Sequence, residues 1–381
     1  MLDFREAALA TVLLAGLLTS CSPSHDNDSV AGSWSPQAAG TYLDQRANWW
    51  MEWGGAARDH ETFCISCHTT LPYALSRAAL HESLPPSANE QRLLDSVTKR
   101  VRLWNEVGPY YDEKSGEHKP IESRGTEAVL NALVLASHDA RNGRLSAEAR
   151  TAFANMWAAQ QPSGELRGSW AWLQFNLRPW EAADSRYYGA SLAALAVGIA
   201  PENYRSTAEI QKNLDLLRDY LSREFPRQSL ANRLYLLWAS TKWADLLDPE
   251  RKRALVNEAI DEQRSDGGWG LATLARTWKG STLRGYVRSW IRQDWTLVDM
   301  KSDAYATAFV TFVLMQAGIP RSDVHVQRGL SWLVQTQDKS MGQWRSQSLN
   351  RRRDGSTNAG RLMSDAATAY SVLALTEANR H

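Results

Sequence analysis

The chain has 381 residues, and its 43 Lys and Arg residues almost balance its 42 Asp and Glu residues, for a formal net charge of +1. Electrostatic binding of nucleic acid needs a clear basic excess, so we expect no nucleic-acid partner. Hydrophobic residues at 43% and charged residues at 22% exclude wholesale disorder. Tryptophan is frequent, with 17 residues against 7 Phe.

Residues 1–21 are predicted to be an export signal. The 12 apolar residues from Ala7 to Leu18 match the length of a signal-peptide core and are too few to span a bilayer. The run ends in Leu18-Thr19-Ser20-Cys21, which resembles the lipobox of bacterial lipoproteins, in which the cysteine is lipidated. We therefore predict an exported protein, lipid-anchored through Cys21 to a bacterial membrane and facing the periplasm.

Two segments follow the signal. Residues 22–40 are rich in Ser, Pro, Asp and Gly, a composition typical of a flexible tether. Residues 41–381 are predicted to form one domain, whose first part carries the remaining two cysteines.

Those cysteines lie in the sequence Cys64-Ile65-Ser66-Cys67-His68. This C-x-x-C-H pattern is typical of c-type haem attachment. Thiols separated by two residues can add to the two vinyl groups at one haem edge, and the adjacent histidine then lies under the iron. We predict covalent haem at Cys64 and Cys67, with His68 as axial iron ligand. Export agrees with this prediction because c-type haem is attached outside the cytoplasm.

Alternatives to haem remain open at this motif. Cys64 and Cys67 can form a disulfide in an oxidising compartment, with no cofactor. His60, Cys64, Cys67 and His68 can also be read as a zinc site, although four ligands within nine residues rarely close a tetrahedron. The sixth iron ligand is not selected by the sequence: the candidates are Met51, His60 and Met156, or a vacant position.

The rest of the chain alternates two kinds of predicted helix. The first kind is apolar on all sides and therefore expected to be buried. Its copies begin at Thr126, Gly189, Leu230, Thr307 and Thr368. The second kind is amphipathic and ends in Gln, Gly and Trp. Its copies are residues 156–170, 257–270 and 328–344.

These segments resemble the QW repeats of the terpenoid cyclase and prenyltransferase superfamily, which includes squalene–hopene cyclase. The resemblance covers roughly residues 43–378 and implies an all-α fold, the α/α toroid, a barrel of helical hairpins with apolar inner helices. It also implies that each Gln caps a helix end and meets the Trp ring. Each hairpin cannot bury its apolar face alone, so neighbours must stack and the ring must close.

The catalytic groups of that superfamily are missing from the repeats. We find no Asp-x-Asp-Asp acid, and no cysteine remains for a prenyltransferase zinc site. Asp184, Asp303 and Asp365 stand singly before or at the start of inner helices, where we expect them to cap the helix. Catalytic residues therefore stay unknown, and the fold resemblance does not imply cyclase activity.

The motif and the repeats meet at Thr70, which falls where Thr307 and Thr368 fall in later inner helices. The C-x-x-C-H motif is thus predicted to lie at the amino end of the first inner helix, by the mouth of the ring. Three nearby tryptophans either pack on the porphyrin or pack between helices: Trp49, Trp50 and Trp53.

We expect electron transfer with a redox partner, or redox chemistry on an apolar, isoprenoid-like ligand. Two alternatives are a terpene cyclase or isomerase with a displaced acid, and a non-catalytic toroid that binds lipid or protein and carries a Cys64–Cys67 disulfide.

Overall fold

The computed structural model describes residues 33–275, 301–350 and 353–380, so the predicted export signal and Cys21 lie outside the described residues. From Trp34 onward the chain forms one compact unit. The described part is mostly helical, which confirms the all-α class. Within it, no helix is long and apolar enough to cross a membrane.

The described helices follow one another in chain order. They are α1 (Pro36–Glu52), α2 (Thr70–Ser76), α3 (Ala88–Arg102), α4 (Lys119–Ala140), α5 (Ala147–Ala158), α6 (Ser185–Ile199), α7 (Gln211–Glu224), α8 (Leu230–Lys242), α9 (Pro249–Asp261), α10 (Leu271–Ala275), α11 (Ala304–Gln316), α12 (Val324–Thr336) and α13 (Leu362–Glu377). Two short strands, β1 (Ala57–Arg58) and β2 (Thr62–Phe63), pair as an antiparallel hairpin between α1 and α2.

Helix α1 begins inside the segment that the sequence predicted to be a tether. The Ser35 side chain accepts a hydrogen bond from the Ala38 amide at 3.1 Å, and Pro36 occupies the first helical position. Serine as N-cap followed by proline is a helix-start signal. Residues 36–40 are therefore helical, and the prediction of a tether as far as residue 40 was wrong for these five residues.

Six helices bury most of their side chains, namely α2, α4, α6, α8, α11 and α13. Each packs against the next in this order, and α13 also packs against α2. Small and apolar residues on every face allow each helix to contact neighbours on several sides. Tyrosines fill space between them, and the Tyr235 hydroxyl lies 2.9 Å from those of Tyr305 and Tyr370.

Three glutamines connect the end of one amphipathic helix to the start of another. Gln160 Nε2 donates to the Asn213 carbonyl in α7 at 3.0 Å, and Gln263 Nε2 donates to the His325 carbonyl in α12 at 2.8 Å. The third, Gln337, follows α12 and bonds the backbone of Ser35 before α1. Its Oε1 accepts from the Ser35 amide at 2.7 Å, and its Nε2 donates to the Ser35 carbonyl at 3.1 Å.

The tryptophans of the same segments bond to their own helices. Trp170, Trp269 and Trp344 each donate the indole N–H to a carbonyl in the last turn of the preceding amphipathic helix, at 2.7, 2.6 and 2.7 Å. The last carbonyls of a helix have no partner within the helix, so each indole satisfies one of them. The Gln side chains bond backbone groups, and the contact with the Trp ring that the resemblance implied stays a prediction.

A glycine with positive φ precedes each of these tryptophans by two residues: Gly168, Gly267 and Gly342. A Cβ on Gly168 would lie 2.0 Å from the Leu216 carbonyl oxygen of α7, and one on Gly342 would lie 2.0 Å from the Ala38 carbonyl oxygen of α1. Only glycine therefore allows these close backbone approaches.

We expect Gly168→Ala to destabilise the fold far more than Gly318→Ala. Both glycines have nearly the same φ, +91° and +93°, but a Cβ on Gly318 meets nothing within 4 Å. Backbone strain of about 1–2 kcal/mol is common to both variants, whereas Gly168→Ala adds about 1–3 kcal/mol of overpacking. Urea unfolding of the two variants measures the difference, and equal losses would contradict the close approach.

Candidate functional site

The hairpin β1–β2 delivers Cys64 to the amino end of α2. The Cys64 amide donates to the Ala56 carbonyl at 2.9 Å, and the Cys64 carbonyl accepts from Trp50 Nε1 at 2.8 Å. Both backbone groups of this cysteine are thus satisfied, and its position is fixed between α1 and the hairpin.

Arg100 of α3 anchors the same hairpin from the other side. Its guanidinium donates to Thr62 Oγ1 at 2.9 Å, to the Gly108 carbonyl at 2.7 Å and to Glu127 Oε2 of α4 at 3.1 Å. Arg100 and Glu127 are both almost fully buried. A buried ion pair is tolerated when its remaining donors find partners, as they do here.

Ser66 shapes the turn that contains the second cysteine and the histidine. Its hydroxyl accepts from the amides of Thr69 and Thr70 at 3.2 and 3.1 Å, and its amide donates to Thr70 Oγ1 at 2.8 Å. Helix α2 starts at Thr70, so Cys67 and His68 lie directly before its amino end, as predicted.

The expected equivalence of Thr70, Thr307 and Thr368 appears in their hydrogen bonds. Thr307 Oγ1 accepts from the Trp269 amide at 2.9 Å, and Thr368 Oγ1 accepts from the Trp344 amide at 3.0 Å. Each of the three threonines thus accepts from a backbone amide that lies earlier in the chain than its own helix.

The two cysteines are buried as free thiols. Burial raises the pKa of Cys64 to about 11 and raises the pKa of Cys67 well above its ordinary value. Thiol–disulfide chemistry proceeds through the thiolate, which a high pKa disfavours. The surroundings therefore favour neutral thiols over a reactive redox pair.

His68 is held by one hydrogen bond and by aromatic contacts. Its Nδ1 lies 2.9 Å from Thr69 Oγ1, and no described residue bonds to its Nε2. Its ring meets the Trp50 ring edge-on at 4.8 Å and lies 6.2 Å from the Trp180 ring. Burial, followed by the positive charges of Arg46 and Arg353, lowers the pKa of His68 to about 3. The imidazole is therefore neutral at physiological pH.

Asp365 in the first turn of α13 is the acceptor at the centre of this arrangement. Its Oδ1 accepts from Tyr42 at 2.8 Å and from Arg46 Nε at 2.7 Å, and its Oδ2 accepts from Thr69 at 2.7 Å and from Arg46 Nη2 at 3.0 Å. Burial raises the pKa of Asp365, and the bonds from Arg46, Thr69 and Tyr42 oppose that rise.

The predicted capping role holds for only one of the three aspartates. Asp303 caps α11, accepting from the amides of Tyr305 and Ala306 at 2.9 and 3.3 Å. Asp184 stands at the N-cap position of α6 but its side chain accepts no cap hydrogen bond. The capping prediction was wrong for Asp365, because α13 already begins at Leu362 and its side chain turns toward α1.

The zinc alternative gains no support from the described geometry. No group of three or more His, Cys, Asp or Glu side chains that could hold a metal ion occurs within the described residues. His60, one of the four proposed zinc ligands, lies in the turn of the hairpin with a 42% exposed side chain beside Asp59.

The three candidate sixth ligands have different surroundings. His60 lies in the hairpin turn, and Met51 lines a surface groove beside that hairpin. Met156 is buried in α5, where its carbonyl accepts the Trp170 indole. Nothing in the described geometry selects one of the three, so the sixth ligand stays unassigned.

Glu181 is a site residue that the sequence reasoning missed. Its backbone pairs with that of Leu177 at 2.7 and 3.0 Å. No described residue hydrogen-bonds to its carboxyl, whose charge raises the pKa values of Cys64 and Cys67. Burial raises the pKa of Glu181 itself to about 7, against a lowering by Lys119. No motif in the sequence marks this residue.

The sequence did not identify Trp180 and Tyr188 as site residues either. Tyr188 opposes the rise in the pKa of Cys67, and the centroids of the Tyr188 and Tyr235 rings lie 4.6 Å apart. Trp180 lies between the rings of His68 and Tyr305, at 6.2 and 5.5 Å. Aromatic rings thus connect the motif with the interior of the helical core.

Comparisons with known proteins do not identify a family for this chain. No protein-family model matches the chain, and no curated protein matches it. Among solved structures, a glycosidase variant is similar at a TM-score of 0.48 and 13% identity, over 90% of this chain and 98% of the glycosidase chain. A likeness at this level carries no argument about function.

We expect Glu181→Gln to change how stability depends on pH. The folded protein holds the Glu181 proton up to about pH 7, whereas the unfolded chain releases it near the ordinary value of 4.5. The free energy of unfolding of the parent protein therefore declines as pH rises through this window, by at most about 3 kcal/mol from this group.

Urea unfolding at pH 4.5 and pH 7.5 measures this decline. The Glu181→Gln variant should lose most of it, whereas Glu209→Gln at an exposed position should keep it. An unchanged pH dependence in Glu181→Gln would refute a shifted carboxyl at this position.

Proposed function

We propose that this protein is an exported, lipid-anchored electron-transfer protein that carries c-type haem at Cys64 and Cys67 within an α/α toroid. The observation that carries the proposal is His68, a neutral imidazole with a bonded Nδ1 and an unbonded Nε2, beside two buried free thiols.

The order of helix contacts supports the toroid. Helices α2, α4, α6, α8, α11 and α13 contact one another in sequence, and the last contacts the first. Each of the amphipathic helices α5, α9 and α12 packs against the member of this set that precedes it in the chain, and Gln337 links α12 back to the start of α1. A closed ring of hairpins accounts for both contacts between the chain's beginning and its end.

The chemistry of the donors supports the haem. Thioether formation adds each cysteine S–H across a haem vinyl group, giving one C–S and one C–H bond, so it requires reduced cysteines, and Cys64 and Cys67 are free thiols. An axial histidine must offer an unprotonated nitrogen, and Nε2 of the neutral His68 ring has no hydrogen-bond partner among the described residues. The residues present therefore fit this group.

Each residue has a separate task in the proposed site. Cys64 and Cys67 would hold the group covalently, and His68 would present Nε2 to its iron. A bound haem would accept and release one electron reversibly. Trp50 and Trp180 pack on the imidazole and limit its access to water.

Electron transfer is favoured over chemistry on an apolar ligand because side chains fill the space between the inner helices. Tyr188, Tyr235, Tyr305 and Tyr370 are each at most 2% exposed. Toward the surface, the Trp50 ring lies 5.4 Å from that of Trp53, whose side chain is 47% exposed. This exposed indole is the contact that we propose for a one-electron partner.

A pyridine haemochrome spectrum of protein produced in a periplasm with the haem-attachment machinery tests the proposal. We expect a c-type band that survives denaturation, with about one haem per chain, because the thioether bonds are covalent. Cys64→Ser/Cys67→Ser should lose the band completely, since nothing else holds the group after unfolding.

His68→Ala separates attachment from ligation. It should keep the covalent band but change the visible spectrum of the native protein, because the axial nitrogen is gone. A colourless parent protein would overturn the haem proposal. A thiol count would then distinguish a Cys64–Cys67 disulfide from free thiols. The remaining candidates would be a non-catalytic toroid that binds lipid or protein and a terpene cyclase with a displaced acid.

Lipid anchoring is tested separately at Cys21. We expect the parent protein in the membrane fraction, with a lipidated amino-terminal cysteine detected by mass spectrometry. Cys21→Ser should shift the protein out of that fraction, because the modified sulfur is lost. Equal membrane association of parent and variant would contradict the anchor, and a Cys64→Ser variant serves as the control.

A further inference from the structure

We propose that Asp365 is a positioning residue for His68, acting through the Thr69 hydroxyl to fix the imidazole proton on Nδ1 and leave Nε2 free. The role as positioner of an iron ligand rests on the proposed function, whereas the placement of the proton can be tested without haem.

The direction of each hydrogen bond follows from the chemistry of the groups. An ionised carboxylate only accepts, so the 2.7 Å contact between Thr69 Oγ1 and Asp365 Oδ2 must use the threonine proton. The Thr69 oxygen is then left as an acceptor toward His68 Nδ1 at 2.9 Å. The imidazole proton therefore resides on Nδ1.

The Asp365 carboxylate is held in one orientation by donors other than Thr69. Arg46 donates to both carboxylate oxygens, and Tyr42 donates to one of them. Both donors lie on α1, and Asp365 is 1% exposed. Arg46 is further tied to Asn358 Oδ1 at 2.7 Å. The carboxylate therefore cannot rotate away from Thr69 without breaking an ion pair.

The physical effect is selection of both tautomer and ring orientation. A histidine that donates one nitrogen to a hydrogen-bonded acceptor presents the other as a ligand, with raised basicity when a carboxylate stands behind the acceptor. The Trp50 ring meets the His68 ring edge-on, with 4.8 Å between the ring centroids, and this contact blocks rotation of the imidazole. Asp365, 297 residues after His68 in the chain, thus determines which nitrogen is available.

Nitrogen-15 NMR of the histidine rings tests this placement in the full chain carrying Cys64→Ser/Cys67→Ser, which binds no haem covalently. His68→Gln in the same background identifies the His68 signals among the 8 histidines. We expect the Nδ1–H tautomer in this parent. Thr69→Val, which keeps the shape but removes the hydroxyl, should give mainly the Nε2–H form, and Thr69→Ser should restore Nδ1–H.

Asp365→Asn is a second test variant. The Asn side-chain amide can donate to the Thr69 oxygen, which would reverse the hydrogen bond between positions 365 and 69 and free the threonine proton for His68 Nδ1. An Nε2–H tautomer in the parent, or no change in Thr69→Val, would overturn the proposal. Equal folding of parent and variants is checked by far-ultraviolet circular dichroism.

The haem-loaded protein gives an independent readout if the haem-free chain does not fold. Thr69→Val should move the midpoint reduction potential to more positive values, because the histidine becomes a weaker donor, while Thr69→Ser should leave it near the parent value. Identical potentials in all three proteins would overturn the proposal. Absence of haem from the parent would defeat the proposed function alone, since the NMR result stands by itself.

Discussion

One buried carboxylate joins the two ends of the described chain. Asp365 on the last helix accepts from Tyr42 and Arg46 on the first and from Thr69 at the start of α2. An ionised group can be buried only when every lone pair finds a donor, so these elements must meet together. Closure of the helical core and the orientation of His68 therefore depend on the same set of bonds.

The helical architecture was predictable because it follows from local patterns. Segments apolar on every side became the buried helices α4, α6, α8, α11 and α13, and the amphipathic segments became α5, α9 and α12. The structure explains why glycine and tryptophan occur in the amphipathic segments, which their spacing in the sequence does not. The indoles satisfy orphan carbonyls, and the glycines allow one backbone to touch another.

The candidate site was predictable only where its residues are neighbours in sequence. The spacing of Cys64, Cys67 and His68 is a local property, and so is their place before α2. The role of Asp365 as the acceptor behind Thr69 and His68 is not a local property. By its place in the sequence Asp365 looks like an ordinary helix cap, and its role appears only when α1 is packed beside it. Glu181 likewise becomes unusual only through burial near the two thiols. The tether boundary failed for a simpler reason: serine and proline signal both loops and helix starts.

The bond between Ser35 and Gln337 has a consequence for the order of events during synthesis. The two residues are 302 positions apart, so their pairing must wait until nearly the whole chain has emerged. The same delay applies to Asp365 and Thr69. An enzyme that modifies Cys64 and Cys67 while the chain is being exported would thus meet an open amino-terminal segment, whose histidine acquires its final orientation only when the last helix arrives.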